Sequence, residues 1–228
     1  MTDRPKALVT GASRGVGAAV ARALAPTHDI LLGGRDEAAL AALSAELPGS
    51  RPWPVELTRV TAADVEDVGR LDVLVHSAGV SVLGRIADTP AEVWLRTMEV
   101  NVVAVAELTR LLLPALRAAG GHVVCINSGS GQRANPDWAS YAASKFALKA
   151  FADALRLEEP ALRVTTVYPG RTATDMQRGV RAYEGGEFEP EKYLKPETVA
   201  RAVLAVVTAG PDAHLTELTL RPRGGPVN

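Results

Sequence analysis

The stretch KALVTGASRGVGAAVARALA, residues 6–25, places an apolar run, a glycine-rich turn and a helical pattern in direct succession. The run KALVTG (6–11) is typical of a buried strand that ends in glycine, and VGAAVARALA (16–25) is a helical pattern that stops at Pro26. A strand that passes directly into a helix begins a βαβ unit, and repeated units of this kind build a parallel sheet. This stretch therefore predicts an α/β fold.

The rest of the chain repeats the same alternation. Further strands are predicted at 29–34, 51–55, 71–79, 122–127, 163–170 and 215–222, and further helices at 36–47, 91–119, 138–159 and 196–210. The run at 51–55 is the weakest strand because its two prolines limit pairing. We expect one doubly wound domain over residues 1–228, with a mostly or wholly parallel sheet of about seven strands flanked by helices. Ligands in such sheets bind at the carboxyl ends of the strands.

Composition narrows the class of protein. The 228 residues are 47% hydrophobic and carry a formal net charge of −1, which argues against a nucleic-acid or anionic-membrane partner held by bulk charge. The N-terminus has no apolar run typical of a signal peptide, and no stretch approaches the ~20 apolar residues of a membrane span. The lone Cys125 lies in an apolar run and is expected to be buried. We expect a cytoplasmic domain of enzyme size, without a metal site.

The turn TGASRGVG (10–17) has the properties of a phosphate-binding site. Gly11, Gly15 and Gly17 fall where the strand becomes a helix, and glycine allows a backbone to approach a pyrophosphate closely. The following helix offers free amides and the positive end of its dipole. The spacing is G-x-x-x-G-x-G, not the more common dinucleotide pattern G-x-G-x-x-G.

Two arginines favour NADP(H) over NAD(H). Arg14 lies inside the turn, and Arg35 follows the second strand, where dinucleotide-binding folds meet the adenosine ribose. The strand ends at Gly34 and not at an acid, and arginine suits a 2′-phosphate. The alternative is that Arg35 is solvated and Asp36 binds the ribose of NAD(H), although Asp36 has the position of a helix N-cap.

The segment YAASK (141–145) places Tyr141 four residues before Lys145, one turn apart on a helix face. The segments TGASRGVG, HSAG, INSGSG, YAASK and YPGRTAT, together with Asn101, occur in the order and spacing of the short-chain dehydrogenase/reductase family. The chain resembles this family over roughly residues 4–222. The resemblance implies a Rossmann-type fold and the catalytic residues Ser128, Tyr141, Lys145 and Asn101.

The family serine lies 13 residues before the tyrosine, and 141 − 13 gives Ser128, with Ser130 as the alternative. By resemblance, Asn101 would hold a water that links Lys145 to solvent. HSAG departs from the family's Asn-Asn-Ala-Gly at His76 and Ser77. His76 has an alternative interpretation as an acid-base group, but its place resembles a scaffold position.

The resemblance also implies a cofactor-binding set. Glu56 replaces the aspartate usual in the family, and Thr174 would bind the nicotinamide carboxamide or act as a helix N-cap. The whole set is Gly11, Ser13, Arg14, Gly15, Val16, Gly17, Arg35, Glu56, Leu57, Ala78, Gly79, Tyr141, Lys145, Pro169, Gly170, Thr172 and Thr174.

These expectations describe an NADP(H)-dependent oxidoreductase that interconverts a small carbonyl compound and its alcohol by hydride transfer. Tyr141 would be the general acid/base, with its pKa lowered by Lys145, and Ser128 would bind the substrate oxygen. Trp138 and the segment 175–195 would contact the substrate, the latter as a flexible lid around Gly185 or as a solvated acidic loop. We expect a homodimer or homotetramer by resemblance. The alternative function is a non-catalytic NADP(H)-binding regulator on the same fold.

Overall fold

A computed structural model describes residues 4–210 and 212–223, and these residues form one parallel sheet with helices on both faces. The strand order is β3-β2-β1-β4-β5-β6-β7, and every neighbouring pair is parallel. This confirms the predicted doubly wound Rossmann-type sheet and shows that it is wholly parallel. The strands are β1 (Lys6–Thr10), β2 (Asp29–Gly34), β3 (Ser50–Pro54), β4 (Val73–His76), β5 (His122–Ile126), β6 (Arg163–Pro169) and β7 (Glu217–Leu220).

Helices cover the two faces because strand residues alternate between two apolar cores. Leu8 and Leu74 face the core beneath the long helices α5 and α6, whereas Val9 and Val75 face the core beneath α1, α2 and α8. The helices are α1 (Gly15–Leu24), α2 (Glu37–Glu46), α3 (Ala62–Val65), α4 (Ala91–Met98), α5 (Ala104–Ala119), α6 (Ala139–Glu158), α7 (Asp175–Tyr183) and α8 (Pro196–Val207).

Several element boundaries differ from the sequence prediction. The predicted helix over 91–119 is interrupted by a π-helical turn at Glu99–Val103, which separates α4 from α5. The strand predicted at 71–79 is shorter and spans only Val73–His76. The prediction did not contain α3 or α7. It placed the end of α8 at Gly210, but α8 ends at Val207.

The proline-containing strand β3 lies at the edge of the sheet, pairing only with β2 among the described strands. Pro52 and Pro54 are tolerated there because an edge strand needs ladder hydrogen bonds on one side only. Cys125 is fully buried as expected, and burial raises the pKa of its thiol to about 12. Of the helices in the described part of the chain, none is long and apolar enough to cross a membrane.

Candidate active site

A cleft of about 1100 Å³ lies at the carboxyl ends of the strands. Parallel strands bring the residues that follow each of them to one edge, and this is where the predicted site residues meet. Every residue of the predicted cofactor set lines this cleft, together with Ser128, Ser130 and Trp138. Asn101 is the one predicted catalytic residue that does not line it.

The glycine turn is packed so closely that side chains would not fit. Gly11 has a φ of +67°, and a Cβ there would lie 2.9 Å from the Ala78 backbone. A Cβ on Gly17 would lie 2.2 Å from the carbonyl oxygen of Gly11. The first turn of α1 contains no acid and no side-chain cap, so its amides and dipole are available to an anion in the cleft.

Thr10 joins this turn to the neighbouring turn after β4. Its hydroxyl accepts hydrogen bonds from the backbone N–H groups of Ser77 (3.0 Å) and Ala78 (3.1 Å), and donates to the Val75 carbonyl (3.3 Å). Thr10 was not singled out from the sequence. The available signal was a hydroxyl residue at the end of an otherwise apolar strand.

His76 belongs to the scaffold and does not line the cleft. Its Nε2 lies 2.9 Å from the Thr109 hydroxyl, which itself donates to the Val105 carbonyl at 2.8 Å, so the imidazole Nε2–H is the donor. Burial lowers the pKa of His76 to about 3, which keeps the ring neutral. The acid-base interpretation of His76 therefore has no support from its position.

Tyr141, Lys145 and Ser128 share one wall of the cleft. Tyr141 and Lys145 lie one turn apart on α6, and the Lys145 ammonium is 5.7 Å from the centre of the Tyr141 ring. Ser128 follows β5 and lines the cleft together with Tyr141. Trp138 packs edge-on against Tyr141, with 5.7 Å between the ring centres. The arrangement brings a phenol, a hydroxyl and an ammonium to the same cleft.

The pKa shift of Tyr141 in the protein alone differs from the shift expected from the sequence. Burial raises the pKa of Tyr141, against a lowering contribution from Ser128, whereas a lowered pKa was predicted. Burial also lowers the pKa of Lys145 to about 8, and its ammonium donates to the Ile126 carbonyl at 3.0 Å. Desolvation therefore outweighs the lowering contribution at Tyr141 in this state, and the Lys145 ammonium is turned toward a carbonyl.

Two residues hold the catalytic groups in place, and neither was singled out from sequence. The Asn127 amide donates to the Lys145 carbonyl at 3.0 Å, and its oxygen accepts from the Ser128 N–H at 2.8 Å. Ser144 donates to the Tyr141 carbonyl at 2.7 Å and accepts from the Asn101 amide at 3.0 Å. An amide at the end of a buried strand and a serine inside a buried helix face were the signals.

Asn101 lies behind the cleft wall, within the π-helical turn. Its amide donates to the Val80 carbonyl and its oxygen accepts from the Val80 N–H, both at 2.9 Å. A Cβ on Gly79 would lie 3.2 Å from Asn101 Oδ1 and 3.9 Å from Lys145 Nζ, so these two side chains are close neighbours behind Gly79. The Asn101 side chain thus positions the turn after β4.

The two arginines at the other end of the cleft are exposed and paired with acids. Arg35 Nη1 lies 3.4 Å from Glu56 Oε2, and Arg14 Nη1 lies 3.7 Å from Asp175 Oδ2. Asp36 is the N-cap of α2, accepting from the Ala39 N–H at 3.0 Å, and it does not line the cleft. The N-cap interpretation of Asp36 is therefore confirmed.

The predicted substrate segment begins with the helix α7, capped by Thr174, whose hydroxyl accepts from the Gln177 N–H at 3.3 Å. Thr174 therefore caps the helix while also lining the cleft. The loop after α7 is held by Glu184, which forms ion pairs with Arg171 (2.5 Å) and Arg181 (2.6 Å). One prediction for this segment was a solvated acidic loop. Glu184 differs from that prediction because its carboxylate is paired with two arginines.

Comparison with known proteins identifies the family. A sequence model described as short chain dehydrogenase matches residues 5–185. Glycine betaine reductase ATRR of Emericella nidulans is 35% identical, with 97% of this chain and 19% of that protein covered. The chain thus spans about a fifth of the length of that relative.

Solved structures of two proteins are similar to this chain over nearly its whole length. An alcohol dehydrogenase from the archaeon Thermococcus sibiricus, complexed with 5-hydroxy-NADP, has a TM-score of 0.86 at 27% identity, with 96% of this chain and 97% of that chain covered. A variant of actinorhodin polyketide ketoreductase with NADPH has a TM-score of 0.86 at 28% identity, with 97% of each chain covered. The chain therefore belongs to the short-chain dehydrogenase/reductase family and is an oxidoreductase of that type.

Proposed function

We propose that the protein is an NADP(H)-dependent oxidoreductase that interconverts a ketone or aldehyde and its alcohol, with Tyr141 as the general acid/base. The observation that carries this proposal is the single cleft in which Tyr141, Ser128 and Lys145 share a wall with a glycine turn built for a pyrophosphate. Two structurally similar proteins are complexed with NADPH or an NADP derivative, which supports the choice of cofactor.

The residues present fit an NADP(H) molecule. Gly11 and Gly17 line the cleft without side chains, so a pyrophosphate could approach the backbone there, and the uncapped start of α1 favours its negative charge. Arg35 and Arg14 flank the end of β2, where a 2′-phosphate would lie, and each has a planar donor set that suits a phosphate. Thr174 and the Pro169–Gly170 segment line the other end, beside Tyr141.

Each catalytic residue has a defined task in carbonyl reduction. The reduced nicotinamide would supply the hydride. The Ser128 hydroxyl would donate a hydrogen bond to the substrate oxygen, and the Tyr141 phenol would deliver a proton to it as negative charge develops. Burial raises the pKa of Tyr141, so at neutral pH the phenol carries the proton that it would deliver.

Lys145 would bind hydroxyl groups of the cofactor and supply positive charge next to the phenol. Its pKa of about 8 leaves the ammonium mostly charged at pH 7 and mostly neutral at pH 9. Asn127 and Ser144 fix the backbone on either side of these groups, so the phenol and the ammonium reach the substrate without reorganisation of α6.

An equilibrium titration with NADPH and NADH, read by cofactor fluorescence, tests the cofactor. We expect NADPH to bind at least ~10-fold more tightly than NADH, about 1.4 kcal/mol. An NADH preference would contradict the assignment of Arg14 and Arg35. Cofactor consumption with a carbonyl panel tests the reaction. Tight NADPH binding without turnover of any carbonyl or alcohol would favour a regulatory protein.

A further inference from the structure

The arginines that line the cleft differ in whether a carboxylate neutralises them. Arg14 pairs with Asp175 and Arg35 with Glu56 at the proposed cofactor end. Arg96 pairs with Glu99 and Arg171 with Glu184. Arg221 also lines the cleft. An arginine that no carboxylate neutralises attracts an anion into a cleft.

Arg221 reaches this end because β7 runs parallel to β6 and ends at the same edge of the sheet. The Gly170 N–H donates to the Leu220 carbonyl at 2.8 Å, which places Arg221 beside the segment that follows β6. A Cβ on Gly129, the residue after Ser128, would lie 3.4 Å from Arg221 Nη1. The guanidinium thus packs against the loop that carries Ser128.

The contacts of Arg221 fix its orientation without neutralising it. Nη1 donates to the carbonyls of Tyr168 (3.4 Å) and Leu220 (3.3 Å), and Nη2 donates to Gln132 Oε1 at 3.1 Å. Within residues 4–210 and 212–223, no carboxylate lies within ion-pair distance of it. Its Nε–H and one Nη2–H have no partner among these residues, so two donors remain for a ligand.

Gln132 holds the guanidinium in this position. Its Nε2 donates to the Thr219 hydroxyl on β7 at 3.2 Å, so its oxygen is directed at Arg221. Hydrogen bonds thus connect β7, the Gln132 amide and the Arg221 guanidinium. A guanidinium that is oriented in advance loses less entropy when it binds a ligand.

A second donor in the same cleft also lacks a partner. Gln177 on α7 is only 6% exposed, and its side-chain Nε2 is buried with no hydrogen-bond partner among the described residues. A buried amide nitrogen without an acceptor costs free energy, and the Gln177 side chain would have to turn before a ligand in the cleft could accept from it. Gln177 lines the cleft together with Arg221 and Tyr141.

We propose that the carbonyl substrate carries an anionic group, a carboxylate or a phosphate monoester, and that Arg221 binds this group while Ser128 and Tyr141 hold the carbonyl oxygen. The inference rests on the proposed function of the cleft and adds the class of its substrate. A planar guanidinium binds either anion through two parallel hydrogen bonds. Arg221 is then a specificity-determining residue.

Matched pairs of substrates test this proposal. NADPH-dependent turnover of levulinate and succinic semialdehyde is measured beside that of their neutral primary amides, and turnover of dihydroxyacetone phosphate beside that of dihydroxyacetone. We expect a higher kcat/KM for the anionic member of at least one pair, and the two kinds of pair distinguish carboxylate from phosphate. The Arg221→Gln variant should lower the anion-to-neutral ratio of kcat/KM by about 10-fold to 100-fold, as for hydrogen bonds to charged groups.

Control variants separate charge from fold. Arg221→Lys should retain part of the preference, because it keeps the charge without the planar donor set. Arg201→Gln, an equally exposed arginine change on α8 that does not line the cleft, should leave the ratio unchanged. Equal or better turnover of the neutral compounds, or an unchanged ratio in Arg221→Gln, would overturn the anion site and leave carbonyl reduction standing.

Absence of turnover for every compound would count against the proposed function. A binding measurement still tests the anion site in that case. Glutarate, which has no reactive carbonyl, is titrated by calorimetry into the protein with NADP⁺ present. Binding that is lost in Arg221→Gln and kept in Arg201→Gln would support the anion site. Absent binding, or binding indifferent to Arg221, would refute it.

Discussion

At the scale of single residues, the contact between Arg35 and Glu56 bears on how the cleft would bind the proposed cofactor. The Glu56 carboxylate lies 3.4 Å from the guanidinium proposed to bind the 2′-phosphate. Although burial opposes it, hydrogen bonds from Thr58 and the charge of Arg35 lower the pKa of Glu56, so the carboxylate is ionised at neutral pH. It therefore competes with a phosphate for Arg35.

Replacing Glu56 with Gln should strengthen NADPH binding and leave NADH binding nearly unchanged. The ion pair is exposed, so the gain should be at most ~1 kcal/mol, or about fivefold in Kd. Fluorescence titration measures both cofactors. The gain should vanish in an Arg35→Gln background, and the exposed Glu158→Gln on α6 should show none. An unchanged or weaker NADPH affinity in Glu56→Gln would count against the phosphate site at Arg35.

Among residues, the chemistry-bearing side chains were predictable and their supports were not. Tyr141, Lys145 and Ser128 stand in a spacing that indicates their use, and the structure brings them to one wall. The Asn127, Ser144 and Thr10 contacts depend on which strand ends meet in space. The direction of the Tyr141 pKa shift was wrong, because burial cannot be read from the spacing of two side chains.

At the scale of elements, the turn from β1 into α1 has no room for a side chain at Gly17. Gly17→Ala would place a Cβ 2.2 Å from the Gly11 carbonyl oxygen, so the turn must move. We expect at least tenfold weaker NADPH binding, about 1.4 kcal/mol, and a lower Tm. Gly179→Ala on α7 is the matched control, since a Cβ there meets nothing within 4 Å. Equal NADPH affinity in the two variants would show that the turn does not bind the cofactor.

The contact between His76 on β4 and Thr109 on α5 should make folding sensitive to acid. The native ring has a pKa of about 3, below its unfolded value, so the unfolded chain takes up a proton that the native protein excludes. Stability therefore falls as pH drops from about 6.5 toward 3. His76→Asn removes this proton uptake and should flatten the slope by up to ~1.4 kcal/mol per pH unit.

Denaturant unfolding of the wild type and His76→Asn across pH 7 to pH 4 measures that slope. The comparison is between slopes, because the substitution also changes the bond to Thr109 at every pH. Parallel pH dependences for the two proteins would mean that His76 is not the neutral buried group described above.

Periodicity predicted the strands and the long helices, and its failures have physical causes. The segment DMQRGVRAY contains Gly179 and several charged side chains, so α7 was not recognised as a helix, although Thr174 had been considered as its N-cap. The π-helical turn at Glu99–Val103 leaves the apolar pattern of the surrounding helix intact, so nothing in the spacing marks it.

At the scale of the whole molecule, one cleft joins residues from almost the full length of the chain. The glycine turn comes from its start, the proposed catalytic residues from its middle and Arg221 from directly after β7. A parallel sheet allows this because every strand delivers its following loop to the same edge. The fold class and this convergence were predictable from the alternation of elements. The ion pairs of Arg35, Arg14 and Arg171 were not, because they join loops whose spacing in sequence is unrelated to their distance.

Steady-state turnover and NADPH affinity of Tyr141→Phe together test whether Tyr141 is the general acid/base. Removal of one oxygen leaves the buried ring and its contact with Trp138, so NADPH binding should be unchanged. Turnover should fall by about 10²-fold to 10⁴-fold, the usual contribution of a general acid/base. Tyr183→Phe, an exposed tyrosine outside the cleft, should retain full activity. Undiminished turnover in Tyr141→Phe would contradict the account.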